Sequence, residues 1–143
     1  DPIKEETFYA VKNMGAYLND NIITVSSNNK LSESMVATGF AYDRDKSGNN
    51  NLDNFKRLAL KAKGIRRMGA AALDLAYVAS GRFDGFWESG LKLWDMAAGK
   101  LLVEEAGGKI TDLKDEEWKI LGDNIVASNN LIHEELIKHL KEI

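Results

Sequence analysis

FWESGLKLWDMAAGKLLVEEAGG, from Phe86 to Gly108, decides the fold. FWES is a short apolar run ending on an acid and reads as the close of a strand. SGLKL is a loop. WDMAAGKLLVEEA carries Trp94, Ala97, Ala98, Leu101, Leu102 and Ala106 on one expected helical face, and Gly107-Gly108 end it. A strand running through a short loop into a helix is a βα unit, and α/β sheets place ligands at that end. Glu88 and Asp95 both stand there. An aspartate in a first helical turn commonly caps the helix, and the same dipole keeps it ionised for a cation. The residues alone leave both roles open.

Working outward, GIRRMG is a short extended piece between Gly64 and Gly69, AALDLAYVAS is helical, and Gly81 is its expected terminator. TFYAVK alternates as a strand, and GAYLND and IITVS form a hairpin around Asn19-Asp20-Asn21. MVATGFAY suits a buried strand. The loop DRDKSGNNN offers asparagine caps to a helix from Leu52, with Phe55, Leu58, Ala59 and Ala62 at helical spacing. KITDLK and NIVAS are strands. LIHEELIKHLKEI is a final amphipathic helix with Ile132, Leu136, Leu140 and Ile143 inward. Strands alternate with helices, so the class is α/β or α+β with a mixed sheet.

The chain has 143 residues, 44% hydrophobic and 29% charged, which suits one globular domain. Cysteine is absent, which removes disulfides and thiolate chemistry. No apolar run approaches membrane-spanning length, and DPIKEETF lacks the pattern of a signal peptide, so a cytoplasmic location is expected. A net charge of −3 argues against nucleic acid as the main ligand. The local exception is Lys56 to Arg67, where six cations occur with no acid between them. It reads as a solvated face, or as a patch for RNA, a protein or an anionic substrate.

Other site patterns fail. Asp43 to Gly48 imitates the start of an EF-hand loop, but its twelfth position is Asn54 and a strand leads in, which argues against calcium. His133 and His139 fall on different helix faces and read as surface or partly buried histidines. No nucleophile elbow and no G-x-G-x-x-G run is present.

GIRRMGAAALDLAYVASGRFDGFWE and LKLWDMAAGKLLVEEAGGKITD resemble the C-terminal half of the inositol monophosphatase family. DPIKEETFYAVKNMGAYLND is similar to that family's central hairpin, and NIVASNNLIHEEL to its last strand and helix. The resemblance implies an α/β fold of the layered α+β sugar-phosphatase type, a mixed sheet flanked by helices, spanning residues 1–143. It implies a Mg2+-dependent phosphomonoesterase, acting on inositol monophosphate or a related sugar phosphate through a metal-activated water, and a homodimer. By the same resemblance Asp95 is a catalytic metal ligand and Glu88 contacts substrate hydroxyls. Gly69, Ala70 and Ala71 form the turn that approaches the substrate ring. Arg66 and Arg67 lie near the pocket and dimer surface, and Trp94 and Ala98 pack to fix the direction of Asp95. The small residues after Asp95 are expected to bring the helix close to the sheet.

The chain also departs from the family pattern. Leu93 stands where many members have proline. The family's G-E-E and D-P-x-D-G-T motifs, which carry its other acidic ligands, are not found; Asp1-Pro2 imitates the second without its aspartate or Gly-Thr. The expectation is therefore a substrate-side half, inactive on its own, with an exposed apolar face that favours association. Fructose-1,6-bisphosphatase or nucleotide 3′-phosphatase activity within the superfamily, and an RNA- or protein-binding module, are the alternatives.

Overall fold

The strand Gly85–Ser89 serves two cores at once, because successive side chains of a strand point to opposite faces. Phe86 enters one core and Trp87 the other, both fully buried. Each large apolar side chain removed from water this way contributes about 2 kcal/mol before entropy is charged against it.

The computed structural model describes residues 1–42, 44–46 and 50–140. In chain order these form β1 (Phe8–Val11), β2 (Gly15–Leu18), β3 (Asn21–Ile23), β4 (Met35–Thr38), α1 (Leu52–Ala59), β5 (Gly64–Arg66) and α2 (Ala71–Ala79). β6 (Gly85–Ser89), α3 (Leu93–Glu105), β7 (Lys109–Thr111), β8 (Asn124–Ser128) and α4 (His133–Leu140) follow. β1, β2 and β3 make an antiparallel sheet. Its second hairpin turns at Asn19-Asp20, both at positive φ, as short polar turn residues tolerate. The main sheet has the order β5-β4-β6-β8-β7; β5, β4 and β6 are parallel, β8 pairs antiparallel with β6, and β7 pairs antiparallel with β8.

On one face of this sheet Val36, Trp87 and Val126 meet Leu58 of α1 and Leu136, Ile137 and Leu140 of α4. On the other, Ala37, Phe86, Ile125 and Ala127 share a core with α2 and α3. The small sheet adds Ala16 to that core and is tied down through α3. The Glu105 carboxylate accepts hydrogen bonds from the backbone N–H groups of Asn13 and Gly15 at 2.8 and 2.9 Å. The fold is thus a mixed five-stranded sheet between two helix pairs, as the α/β reading requires.

Several expectations need correction. The inward side of α3 is Met96, Gly99, Leu102, Val103 and Ala106; Ala97 and Ala98 are exposed, and Trp94 is 79% exposed. Apolar residues surround this helix, so spacing alone did not reveal which side packs. Gly99 faces the neighbouring helix α2 rather than the sheet: a β-carbon there would lie 2.5 Å from Leu75 Cβ. β4 stops at Thr38, and Tyr42 is fully exposed. Asn50 bonds the N–H of Leu52, but the Asn51 side chain turns inward and does not cap α1. Arg57 is no solvated cation, since its guanidinium donates to Asn54 and to the His139 carbonyl and joins α1 to α4. The EF-hand-like positions Asp43, Ser47 and Gly48, and the inward position Ile143, lie outside the described residues.

His133 is a core residue, 1% exposed, with Ser128 Oγ 2.8 Å from Nδ1 and Thr111 Oγ1 3.0 Å from Nε2. These hydroxyls satisfy both ring nitrogens of a neutral imidazole. Burial, helped by Lys109 and opposed by Asp115, pushes its pKa down to about 4.

Two outcomes follow from this packing. Gly99→Ala gains up to about 1 kcal/mol of helix propensity but meets a side-chain carbon anchored next to the backbone, an overpacking cost of about 1–3 kcal/mol. Urea unfolding is expected at a lower midpoint for Gly99→Ala than for the parent; an equal or higher midpoint would contradict this close crossing. For His133 the folded pKa lies below the unfolded one, so the unfolded chain binds the extra proton between pH 6.5 and 4. Stability from this group is then lost as pH falls through that window, by a few kcal/mol at most. His133→Gln is expected to lose less stability than the parent between pH 6.5 and 4, and parallel urea curves would refute it.

Candidate functional site

β5, β4 and β6 point their carboxyl ends the same way, and α2 and α3 begin just beyond β5 and β6. The strand ends and helix starts enclose a cavity of about 350 Å³. It is lined by Gly39 after β4, Arg67 and Gly69–Ala71 after β5, Asp74 on α2, Glu88 on β6, and Lys92, Trp94 and Asp95 at the start of α3. Volume and position suit a small-molecule site at the carboxyl edge of a parallel sheet.

Period-two alternation sets Glu88: Trp87 points to the α1–α4 side, so Phe86 and Glu88 point to the α2–α3 side. Space for its carboxylate comes from Gly39, the residue after Thr38, which pairs with Trp87. A β-carbon on Gly39 would fall 2.2 Å from both Glu88 carboxylate oxygens. A buried network holds Gly39 in place. Asn51 Nδ2 donates to the Gly39 carbonyl at 2.7 Å and to Thr38 Oγ1 at 2.9 Å, and Trp87 Nε1 donates to Asn51 Oδ1 at 2.7 Å.

Asp95 accepts a hydrogen bond from the Lys92 backbone N–H at 2.9 Å through Oδ2. It therefore does cap α3, while Oδ1 has no hydrogen bond among the described residues. Leu93 occupies the first helical position, where proline would be favoured. α2 begins after Ala70 with no side-chain cap, which leaves first-turn N–H groups next to Gly69 and the cavity.

Asp74 is 1% exposed, and its Oδ1 is buried with no hydrogen-bond partner among the described residues. Burial pushes its carboxyl up to about 7, with the Arg67 charge opposing. Glu88 is also pushed up to about 7, first by burial, then by the charge of Asp74, with a smaller push from Asp95 and relief from Arg67. Both folded values lie above the unfolded ones, so ionising this pair destabilises the fold as pH rises from about 4 to 7. A cation or hydrogen-bond donors in the cavity would offset that cost.

The cavity thus gathers Asp95, Glu88, Gly69, Ala70 and Ala71, together with Arg67. Arg66 does not line it and is exposed on the last residue of β5. Trp94 and Ala98 do not brace Asp95 from the core; Trp94 stands at the cavity and Ala98 lines a separate groove. Asp74, Gly39 and Asn51 were missed as site residues. The signal for Asp74 was a lone acid inside the otherwise uncharged AALDLAYVA. Among the described residues, no group of three His, Asp or Glu side chains is placed to hold a metal, and no helix is long and apolar enough to cross a membrane.

The inositol-1-monophosphatase of Synechocystis is 44% identical over 140 residues, which cover 98% of this chain and 49% of that protein. The Nus factor SuhB of Pseudomonas aeruginosa is 46% identical over 131 residues, 90% of this chain and 48% of that protein. The solved inositol monophosphatase of Anabaena superposes with a TM-score of 0.96 at 46% identity, covering 98% of this chain and 58% of that one. The chain spans about half the length of the curated relatives it matches. The sequence signature of the inositol monophosphatase family matches residues 1–143, and the chain belongs to that family.

Proposed function

We propose that the chain forms the substrate-side wall of a Mg2+-dependent phosphatase acting on a phosphate monoester of inositol or a related sugar. The observation that carries this reading is the meeting of Asp95, Glu88 and the Gly69–Ala71 turn in one cavity at the carboxyl ends of parallel strands. Family membership supports it. The donor chemistry fits in part: Asp95 presents an oxygen without a hydrogen bond in a first helical turn, and Mg2+ prefers oxygen ligands. When bound, Mg2+ supplies an acidified water and neutralises charge on the phosphoryl oxygens.

The chain's own residues divide the remaining work. Asp95 holds the ion and, through its bond to Lys92, keeps its carboxylate fixed at the start of α3. The uncapped first turn of α2 offers backbone N–H groups to a phosphoryl or hydroxyl oxygen. Glu88 accepts hydrogen bonds from substrate hydroxyls, and Gly39 leaves room for its carboxylate. Arg67 offsets the negative charge gathered at the cavity. The remaining acidic ligands come from outside residues 1–143, in keeping with the chain's span of about half its relatives. Exposed Tyr42 and Trp94, which line the mouth of the cavity, mark a face that the missing part of the site covers.

Residues 1–143 alone are expected to show no Mg2+-dependent hydrolysis of inositol monophosphate. In a whole protein containing them, Asp95→Asn is expected to lower kcat at least about 100-fold, the scale of losing one direct electrostatic contact in the reaction. Asparagine can still accept the Lys92 hydrogen bond, so the thermal melt is expected to hold. Steady-state kinetics with a parallel melt check this. Full turnover in the variant would remove Asp95 from the reaction, and turnover by residues 1–143 alone at the rate of the whole protein would refute the divided site.

A further inference from the structure

We propose that Asp74 is a second substrate-facing residue, pairing with Glu88 to bind two hydroxyls of a cyclic polyol. The proposal rests on reading the cavity as a phosphate-ester site and names the part of the ligand that its floor selects. Asp74 is 1% exposed, lines the cavity, and has a buried carboxylate oxygen with no hydrogen bond among the described residues. Natural cores rarely tolerate such a group without a reason outside the free fold.

Asp84 shows what a structural aspartate does in the same fold. It too is buried, but it accepts hydrogen bonds from Ser26 Oγ at 2.5 Å and from the Met35 backbone N–H at 2.7 Å. Asp74 makes no comparable bond among the described residues. It gains no ion pair either: Arg67 lines the cavity without forming a salt bridge to it among the described residues. A leucine of similar shape would pack with less cost in the otherwise apolar α2, so folding alone does not account for the acid.

The surroundings indicate what would satisfy it. Glu88 faces the same cavity from β6, close enough that the Asp74 charge disfavours its ionisation. Once ionised, two carboxylates can only accept hydrogen bonds, so their complement is a ligand that carries adjacent donors without negative charge at that end. The neighbouring hydroxyls of a cyclic polyol meet this requirement. A metal ion suits the pair less well, because no third acid joins them to form a cluster among the described residues. The anionic end of the ligand would then lie toward Asp95 at the start of α3, away from the Asp74–Glu88 pair.

The test is a ligand-observed NMR titration of the chain with myo-inositol and, separately, with inorganic phosphate. The variants are Asp74→Asn and Asp74→Leu, each checked by thermal melt. Inositol binding is expected to weaken about 10-fold in Asp74→Asn and more in Asp74→Leu, the scale of a charge-assisted hydrogen bond. Phosphate binding is expected to stay unchanged. Equal weakening of both ligands would assign Asp74 a structural role and overturn the proposal, as would variants that bind inositol like the parent. A parent chain that binds phosphate but no inositol overturns it and leaves the phosphatase reading standing. Asp74-dependent inositol binding in a protein that hydrolyses no phosphate ester supports it while removing that reading.

Discussion

Gly99 of α3 crosses α2 with no room for a β-carbon, and Leu75 fills the space one would occupy. α2 carries Asp74 and α3 carries Asp95, so this contact fixes the spacing of two cavity carboxylates on separate helices. The third, Glu88, is set by the alternation of β6, with Phe86 and Trp87 locked into opposite cores. Each acid therefore takes its direction from packing that is remote from any ligand. This is how a site gains precision without rigid loops.

That arrangement carries an energetic cost. Two buried carboxylates without a hydrogen bond among the described residues destabilise the folded chain when ionised, and Arg67 offsets only part of this. The two cores on either side of the sheet supply the surplus that tolerates them. Beneath the site, Asn51 joins Thr38, Gly39 and Trp87 in a fully internal network, so the floor under Glu88 is polar yet satisfied. The contrast between that network and Asp74, whose Oδ1 has no hydrogen bond among the described residues, separates a buried polar group that the fold satisfies from one that it does not.

Much of this was legible in the sequence. The βα unit from Phe86 to Gly108, the terminator at Gly81 and the shared end of Glu88 and Asp95 needed only periodicity and punctuation. The side on which α3 packs did not follow, because apolar residues surround that helix and Trp94 looks like core while standing 79% exposed. His133 reads from sequence as surface or partly buried because the hydroxyls that satisfy it, Thr111 and Ser128, come from two strands. Gly39 and Asn51 act through contacts across strands and have no motif of their own. Asp74 did leave a trace, as a single acid in an apolar helix, but burial gave that trace its meaning.

Paramagnetic broadening by Mn2+ in the presence of phosphate tests the central claim most directly, because it reports weak cation binding residue by residue. Backbone signals of Gly90 and Lys92–Asp95 are expected to broaden first, ahead of the acidic turn Asp112–Glu117, which follows β7 and does not line the cavity. Earliest broadening at that turn, or uniform broadening along the chain, would contradict a cation site at Asp95.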